Sequence, residues 1–228
     1  LDEDMEGTLG NPNLKPFRAT NFDASVEYYF RPDAVVQAGI FMKDVKNFIV
    51  DATFKKGTYN GIAYEEVTQA INGDTAEIRG FEFAYAQAYT FLPAPFDGLL
   101  ASVNYTFTDT EGKVNGRTIA LPTSAKNTYN LVLGYEKGPL SLRAAAAYRS
   151  GYLDELGAKP EEDRYVKDHT QIDLSAKYRV TKNLRVFAEL VNANDATYTA
   201  YQKGPKGDRL LQYEEYSWTG KLGIKFNY

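Results

Sequence analysis

A strict two-residue alternation between apolar and polar side chains is the feature that most constrains the fold of this chain. From Tyr216 to Tyr228 the even positions are aromatic, aliphatic or glycine, while the odd positions carry Ser, Thr, Lys, Gly and Asn. Successive side chains of a β-strand point to opposite faces of the sheet. The segment is therefore predicted to be a strand with one apolar face and one polar face.

The same alternation recurs along the whole sequence. It is found in residues 22–30, 36–42, 81–91, 99–107, 129–135, 140–148, 172–180 and 184–190. With the last segment this predicts about nine strands of about ten residues, the length at which a tilted strand crosses a membrane. No segment approaches the roughly 18 apolar residues of a membrane helix, which excludes a helical membrane protein.

The predicted connections alternate between short and long. The short ones are residues 31–34, 92–98, 137–139 and 181–183, and the long ones are roughly residues 51–75, 109–124, 151–168 and 192–213. Barrels of the bacterial outer membrane have short periplasmic turns and long extracellular loops. We therefore predict an all-β fold, an antiparallel transmembrane β-barrel whose long connections all lie outside the cell.

A soluble ligand-binding β-barrel is the main structural alternative, because it also alternates apolar and polar residues. Two features favour the membrane. Aromatic residues gather near strand ends, as at Tyr28 and Phe30 or Phe226 and Tyr228, which matches the aromatic girdles of membrane barrels. The opposite rows also carry charges along their length, as a water-filled lumen requires.

The strand count predicts that the barrel is incomplete. A bacterial barrel has an even number of strands and both ends on the same side of the membrane. About nine strands place the two ends on opposite sides, and an open set leaves unpaired backbone groups in lipid at several kcal/mol each. We expect upstream strands outside this sequence to complete the barrel.

Composition argues against several functions. The net charge of −4 and the lack of a basic tract argue against nucleic acid as a partner. There is no Cys and the only His is His169, so neither a disulfide framework nor a transition-metal site is expected. His169 follows Asp168 but belongs to no convincing catalytic constellation, and we predict no enzyme activity and no cofactor.

Clustered acidic residues are interpreted as solvated loop charge. They occur at residues 65–66, 161–163 and 214–215, and none has the spacing of a calcium-binding loop. Arg143, Lys177, Arg185 and Glu189 lie on polar rows, where they are expected to pair across strands.

The residues expected to contact a ligand lie in or near the long connections. They are Tyr59, Tyr64, Arg149, Tyr152, Tyr165, Tyr198 and Tyr201. Aromatic faces can stack on sugars or planar ligands, and Arg149 can meet an anion. Two alternatives stay open: the tyrosines can belong to the outer girdle or pack the loops, and Arg149 can form an ion pair in the lumen, which we favour.

Several segments together resemble the barrel of TonB-dependent outer-membrane receptors. They are residues 10–30 (GNPNLKPFRATNFDASVEYYF), 41–49 (FMKDVKNFI), 78–83 (IRGFEF), 121–135 (LPTSAKNTYNLVLGY), 148–152 (YRSGY) and 183–198 (NLRVFAELVNANDATY), with the terminal aromatic strand. Each element is weak alone, but their order and spacing are specific, and they cover essentially the whole chain.

The resemblance implies a barrel of about 22 strands blocked by a plug. Residues 1–228 resemble the C-terminal region of that single barrel domain, roughly its last nine strands, without the plug. The implied function is TonB-dependent uptake of a scarce, bulky nutrient such as a siderophore, a cobalamin or an oligosaccharide. The implied partners are outer-membrane lipid, the upstream strands and plug, and the TonB complex through the missing N-terminal region. A passive outer-membrane porin is the functional alternative.

Overall fold

The computed structural model describes residues 5–59 and 61–227, without the side chains of Lys56 and Tyr59. Nine long strands form one continuous antiparallel sheet, called the wall here. In spatial order they are β2 (Arg18–Arg31), β3 (Ala34–Lys46), β6 (Thr75–Ala88), β7 (Leu99–Val114), β9 (Asn127–Lys137), β10 (Leu140–Arg149), β13 (His169–Arg179), β14 (Leu184–Val191) and β17 (Thr219–Phe226). The prediction of about nine antiparallel strands from the alternation is confirmed.

Eight further strands lie outside the wall path. They are β1 (Glu6–Leu9), β4 (Ile49–Tyr59), β5 (Ile62–Asn72), β8 (Arg117–Ile119), β11 (Tyr152–Glu155), β12 (Arg164–Val166), β15 (Thr197–Gln202) and β16 (Arg209–Glu215). Single 3-10 turns occur at Phe96–Gly98 and Pro160–Glu162. Within the described residues, no helix has the length and apolar character needed to span a membrane.

The last wall strand starts later than the alternation predicts. The structure begins β17 at Thr219, so Tyr216 and Trp218 precede it. Ser217 has a φ of 58°, a left-handed conformation that an extended strand does not contain. The Ser217 carbonyl accepts a hydrogen bond from the Asn192 side-chain amide at 3.0 Å, which stabilises this break in the extended backbone before β17.

One face of the wall is apolar and exposed to its surroundings. On strands that have a neighbour on each side, Ile40 is 55% exposed, Leu133 is 53% exposed and Leu174 is 42% exposed. In a soluble barrel these side chains would fill the interior, since large aliphatic residues are usually buried. The exposed apolar face fits contact with lipid.

The faces exchange character at the outer ends of β3, β6 and β7. Beyond Phe81 and Phe107, the apolar face continues with Arg79 and Asp109, which form an ion pair of 3.3 Å. On the opposite, polar face, Ala76 and Val114 are only 3% and 2% exposed. Because lipid disfavours charge and water disfavours exposed apolar surface, this exchange marks where the strands leave the membrane.

The long connections contain strands of their own, which the sequence analysis did not predict. They are called L1 (residues 47–74), L2 (115–126), L3 (150–168) and L4 (192–218). L1 contains the β4–β5 hairpin, against which β1 pairs in parallel, and L2 contains β8. L3 and L4 together form a four-stranded sheet in the order β11-β12-β15-β16, called the outer sheet here. The short turns all lie at the other end of the wall, as predicted.

Candidate functional site

The main hydrophobic core lies among the loops. Phe48 and Val50 of L1, Ile119 of L2 and Leu153 and Leu156 of L3 are each at most 8% exposed and form one cluster. Ala76 and Val114 complete this cluster from the polar face of the wall. The loops therefore pack against the polar, lumen-side face of the strand ends, and not against the lipid-side face.

L3 contacts L1 through backbone and side chains. Ala52 of L1 forms a parallel β-bridge with Leu156, and the Thr53 amide donates to the Leu156 carbonyl at 3.2 Å. The Lys55 ammonium donates to the Glu162 carboxylate at 2.5 Å. This hydrogen bond holds the pKa of Glu162 below its usual value and raises the pKa of Lys55.

L3 also contacts L2 and L4. Asp163 is 2% exposed and forms an ion pair with Arg117 of L2, while its second oxygen accepts the Gly157 amide at 3.0 Å. Strand β12 pairs with β15 of L4, and the Gln202 side chain donates to the Glu162 carbonyl at 2.9 Å. L3 is thus the central loop, with direct contacts to the three others.

These contacts correct the interpretation of the acidic run at residues 161–163. Glu162 and Asp163 are not solvated charge, because each binds a cation from a different loop, and only Glu161 remains exposed. No group of three acidic or histidine side chains converges on a possible metal position within the part of the chain that the structure describes.

One face of the outer sheet lines a cleft of about 770 Å³ against L2. Tyr165 and Tyr201 lie opposite each other in register, with ring centroids 5.8 Å apart. The Lys203 ammonium lies 3.9 Å from the centroid of Tyr165. Burial raises the pKa of both tyrosines, so their hydroxyl groups are neutral at physiological pH.

The opposite face of the outer sheet carries a polar network around Arg164. Its guanidinium donates to the Asp154 carboxylate at 2.9 Å and to the Tyr198 hydroxyl at 3.3 Å, and it also binds the Gln212 side chain. The register of β12 and β15 puts Arg164 and Gln202 on one face and Tyr165 and Tyr201 on the other. Tyr165 and Tyr201 are therefore brought together, whereas Tyr198 lies on the other side of the sheet.

Arg149 forms no ion pair among the described residues, so the favoured interpretation of this residue is wrong for this part of the protein. Its register neighbours are His169 and Thr128, and neither is acidic. The guanidinium instead lies 4.8 Å from the Tyr152 ring centroid, and its buried Nη1 has no hydrogen-bond partner among the described residues.

The remaining sequence candidates have different surroundings. Tyr59 is the last residue of β4, and its side chain lies outside the described residues. Tyr64 packs over Gly7 of β1, because a Cβ added at Gly7 would be 2.7 Å from its ring. The ring of His169 is half-buried and lies 3.2 Å from the Thr197 carbonyl through Nδ1, so this histidine joins L4 to the wall.

The expected ion pairs of the polar rows do not form among the described residues. Arg143 faces Gly134 and Ser175, Lys177 faces Ser141 and Phe187, and Arg185 faces Arg179 and Lys225. Only Glu189 has a cation opposite it, Lys221, and that pair also forms no ion pair. The register, which the sequence does not reveal, places Arg143, Lys177 and Arg185 beside small, aromatic or like-charged residues.

A wall with a lipid-exposed apolar face, short turns at one end and packed loops at the other defines part of an outer-membrane β-barrel. The sequence matches the model of the TonB dependent receptor-like β-barrel family over residues 2–193. The chain belongs to this family of bacterial outer-membrane receptors and transporters, which confirms the fold, the location and the resemblance expected from the sequence.

Individual relatives give the extent of the similarity. The chain is 26% identical over 195 residues to the vitamin B12 transporter BtuB of Photobacterium profundum, covering 84% of this chain and 28% of that protein. It also resembles the copper transporter OprC (TM-score 0.62, 20% identity, 94% of this chain and 32% of OprC). The ferric-catecholate import receptor Fiu of K12 E. coli has a TM-score of 0.64 at 18% identity, with coverage of 95% and 28%. At these identities the solved structures support the fold alone, and the chain spans less than a third of each relative.

Proposed function

We propose that this chain is the loop-bearing wall of a receptor that imports a scarce, bulky nutrient across the outer membrane. Family membership supports import as the general activity. The relatives are described as a vitamin B12 transporter, a copper transporter and a ferric-catecholate import receptor, so they do not agree on one substrate. A siderophore, a cobalamin or an oligosaccharide each fits the proposal.

The observation that carries this proposal is the packing of all four loops into one interlocked body on the lumen side of the wall. A connected set of loops over the lumen can hold a ligand between several surfaces. Independent flexible loops would lose more conformational entropy on binding the same ligand, because each loop would have to be ordered separately. The proposed contacts are Tyr152, Tyr165 and Tyr201, which all line the cleft against L2. Arg149, which lies over the Tyr152 ring, and Tyr198, on the other face of the outer sheet, are the two further contacts proposed.

The rest of the transport machinery is proposed to come from sequence outside this chain. Among the described residues β2 and β17 each have a single wall neighbour, and an open strand edge in lipid costs several kcal/mol per unpaired group. Further barrel strands and a plug would cover these edges and block the lumen. The plug would supply the contact with the TonB complex.

Uptake in whole cells tests the import proposal. A strain lacking the complete receptor should lose accumulation of one labelled compound among a ferric siderophore mixture, cyanocobalamin and oligosaccharides. Accumulation in the parent strain should stop when a protonophore collapses the inner-membrane proton gradient, because the energy comes from there. Receptor-dependent uptake that continues with the protonophore would instead support the passive porin.

Two variants locate the ligand contacts once a compound is identified. Arg149→Ala and Tyr201→Ala should each weaken binding of that compound to the purified receptor. Tyr213→Ala is the matched control, because Tyr213 is an exposed tyrosine of the neighbouring strand β16. Unchanged affinity in both test variants would remove these residues from the site.

A further inference from the structure

The cleft between L2 and the outer sheet has two chemically different sides. The outer sheet contributes the neighbouring rings of Tyr165 and Tyr201. Hydroxyl groups from the wall and L2 line the other side, at Thr108, Thr110 and Thr118. A volume of about 770 Å³ lies within the usual range of ligand sites, about 300 to 1,000 Å³.

The charges that line the cleft leave one positive charge uncompensated. Arg117 is paired with Asp163 and Lys126 is paired with Asp109 at 3.0 Å. The exposed Lys203 forms no ion pair with any carboxylate of the described residues, and its ammonium lies over the face of Tyr165. A ligand in this cleft therefore meets a free ammonium group beside an aromatic surface.

Each lining group matches one part of a sugar that carries an anion. An aromatic face stacks on the apolar face of a ring, and hydroxyl groups exchange hydrogen bonds with other hydroxyl groups. An ammonium group attracts a carboxylate or a phosphate. We propose that the cleft binds an anionic sugar, meaning a sugar ring bearing a carboxylate or a phosphate group.

Two sources can present this chemistry. A free anionic oligosaccharide would enter from the loop side, and in that case the inference rests on the proposed import function. The sugar headgroup of an outer-leaflet glycolipid would enter from the wall side. Lys126 brings the cleft close to that side, because it lines the cleft and its ammonium lies 5.3 Å from the ring centroid of Phe107, an aromatic residue at the outer edge of the lipid-facing surface.

Binding to the purified full-length receptor distinguishes the sources. Trigalacturonate is the free anionic probe and maltotriose its neutral counterpart, both measured by isothermal titration calorimetry. Kdo2–lipid A is the glycolipid probe, measured by native mass spectrometry of the receptor in nanodiscs. The cleft should bind one anionic probe at least tenfold more tightly than maltotriose, and binding should weaken as salt is added.

Variants assign the binding to the cleft. Lys203→Gln and Tyr201→Leu should each weaken binding of the anionic probe by about tenfold. Lys206→Gln and Tyr213→Leu are the matched controls, because both residues are exposed and neither lines the cleft. If trigalacturonate binding is lost in the test variants and kept in the control variants, the ligand of the cleft is a free anionic sugar. If Kdo2–lipid A shows this pattern, the ligand is the sugar headgroup of a glycolipid.

The inference is overturned if neither anionic probe binds, or if the test and control variants lose the same affinity. These assays measure binding without transport. A receptor that binds the probe but imports nothing would refute the proposed function and leave the cleft assignment intact. A receptor that imports a nutrient but binds neither anionic probe would refute the cleft assignment and leave the proposed function intact.

Discussion

Replacing Asp163 with Asn should loosen the contact between L2 and L3. The carboxylate is 2% exposed and accepts from both the Arg117 guanidinium and the Gly157 amide. Asn keeps the volume and an oxygen for Gly157 but removes the charge opposite Arg117, whose side chain is only 25% exposed. Leaving one partner of a buried pair without its counter-charge costs about 3 kcal/mol.

Hydrogen exchange measures this loss locally. A change of about 3 kcal/mol raises the local opening constant by about a hundredfold. Exchange of the Gly157 amide and of β12 should therefore accelerate by up to that factor in Asp163→Asn, while β9 and β10 in the wall should exchange as before. Lys55→Gln is the control, because its exposed ion pair contributes far less. Exchange at Gly157 within about threefold of the wild type would refute the reasoning, since that factor is well below 1 kcal/mol.

Three further predictions test other parts of the structure. Leu174→Arg should destabilise the wall by about 2–4 kcal/mol in urea unfolding from bilayers, because it puts a charge on the lipid-facing side, whereas Ser175→Arg on the other face should cost much less. Gly80→Ala should lower the yield of folded, heat-modifiable receptor, because its Cβ would lie 2.0 Å from a carbonyl oxygen of the facing strand, while Gly10→Ala meets nothing within 4 Å. Because the pKa of Glu162 is lowered by its Lys55 partner, its stabilising effect is present above the ordinary glutamate value of 4.5 and is lost as the pH falls through the lowered value. Exchange in L3, corrected for intrinsic rates, should accelerate more with acid in the wild type than in Glu162→Gln, which keeps the other carboxylate contact of L3, that of Asp163 with Arg117.

The wall was predictable because its signal is local. Each strand shows its own alternation, and consecutive strands pair with their neighbours in sequence, so strand count and turn positions follow from the sequence. The side chains that pair across the wall were not predictable, because a pair depends on register. Arg149 illustrates this, since the strands place it opposite His169 and Thr128 rather than an acid.

Two hairpin turns in the loops can also be recognised from the sequence, by a signal that is separate from the apolar–polar alternation of the wall strands. Asn115-Gly116 connects β7 to β8 with φ values of 50° and 75°, the conformation of a two-residue hairpin turn for which Asn-Gly is the preferred sequence. Gly61, with a φ of 80°, follows Asn60 in the L1 hairpin. The outer sheet had no such signal, because β12 and β15 come from different loops and pair across more than thirty residues.

The position of Asp163 links the loop contacts to the proposed cleft. Asp163 and Arg117 both line that cleft, so the ion pair that joins L2 to L3 also shapes the surface facing Lys203. Asp163→Asn should accelerate exchange in L3, but it also leaves the Arg117 charge without its counter-charge in the cleft. A loss of anionic-sugar binding in this variant would therefore reflect altered loop packing, because the change in charge alone favours an anion. Lys203→Gln should weaken binding while accelerating exchange in L3 of the unliganded receptor by no more than about fivefold, because it removes from L3 the contact with the Tyr165 ring, worth about 0.5–1 kcal/mol at an exposed site, and no ion pair. If Lys203→Gln accelerated exchange as much as Asp163→Asn, its effect on binding would reflect altered loop packing, and the ammonium group would no longer be needed to explain it.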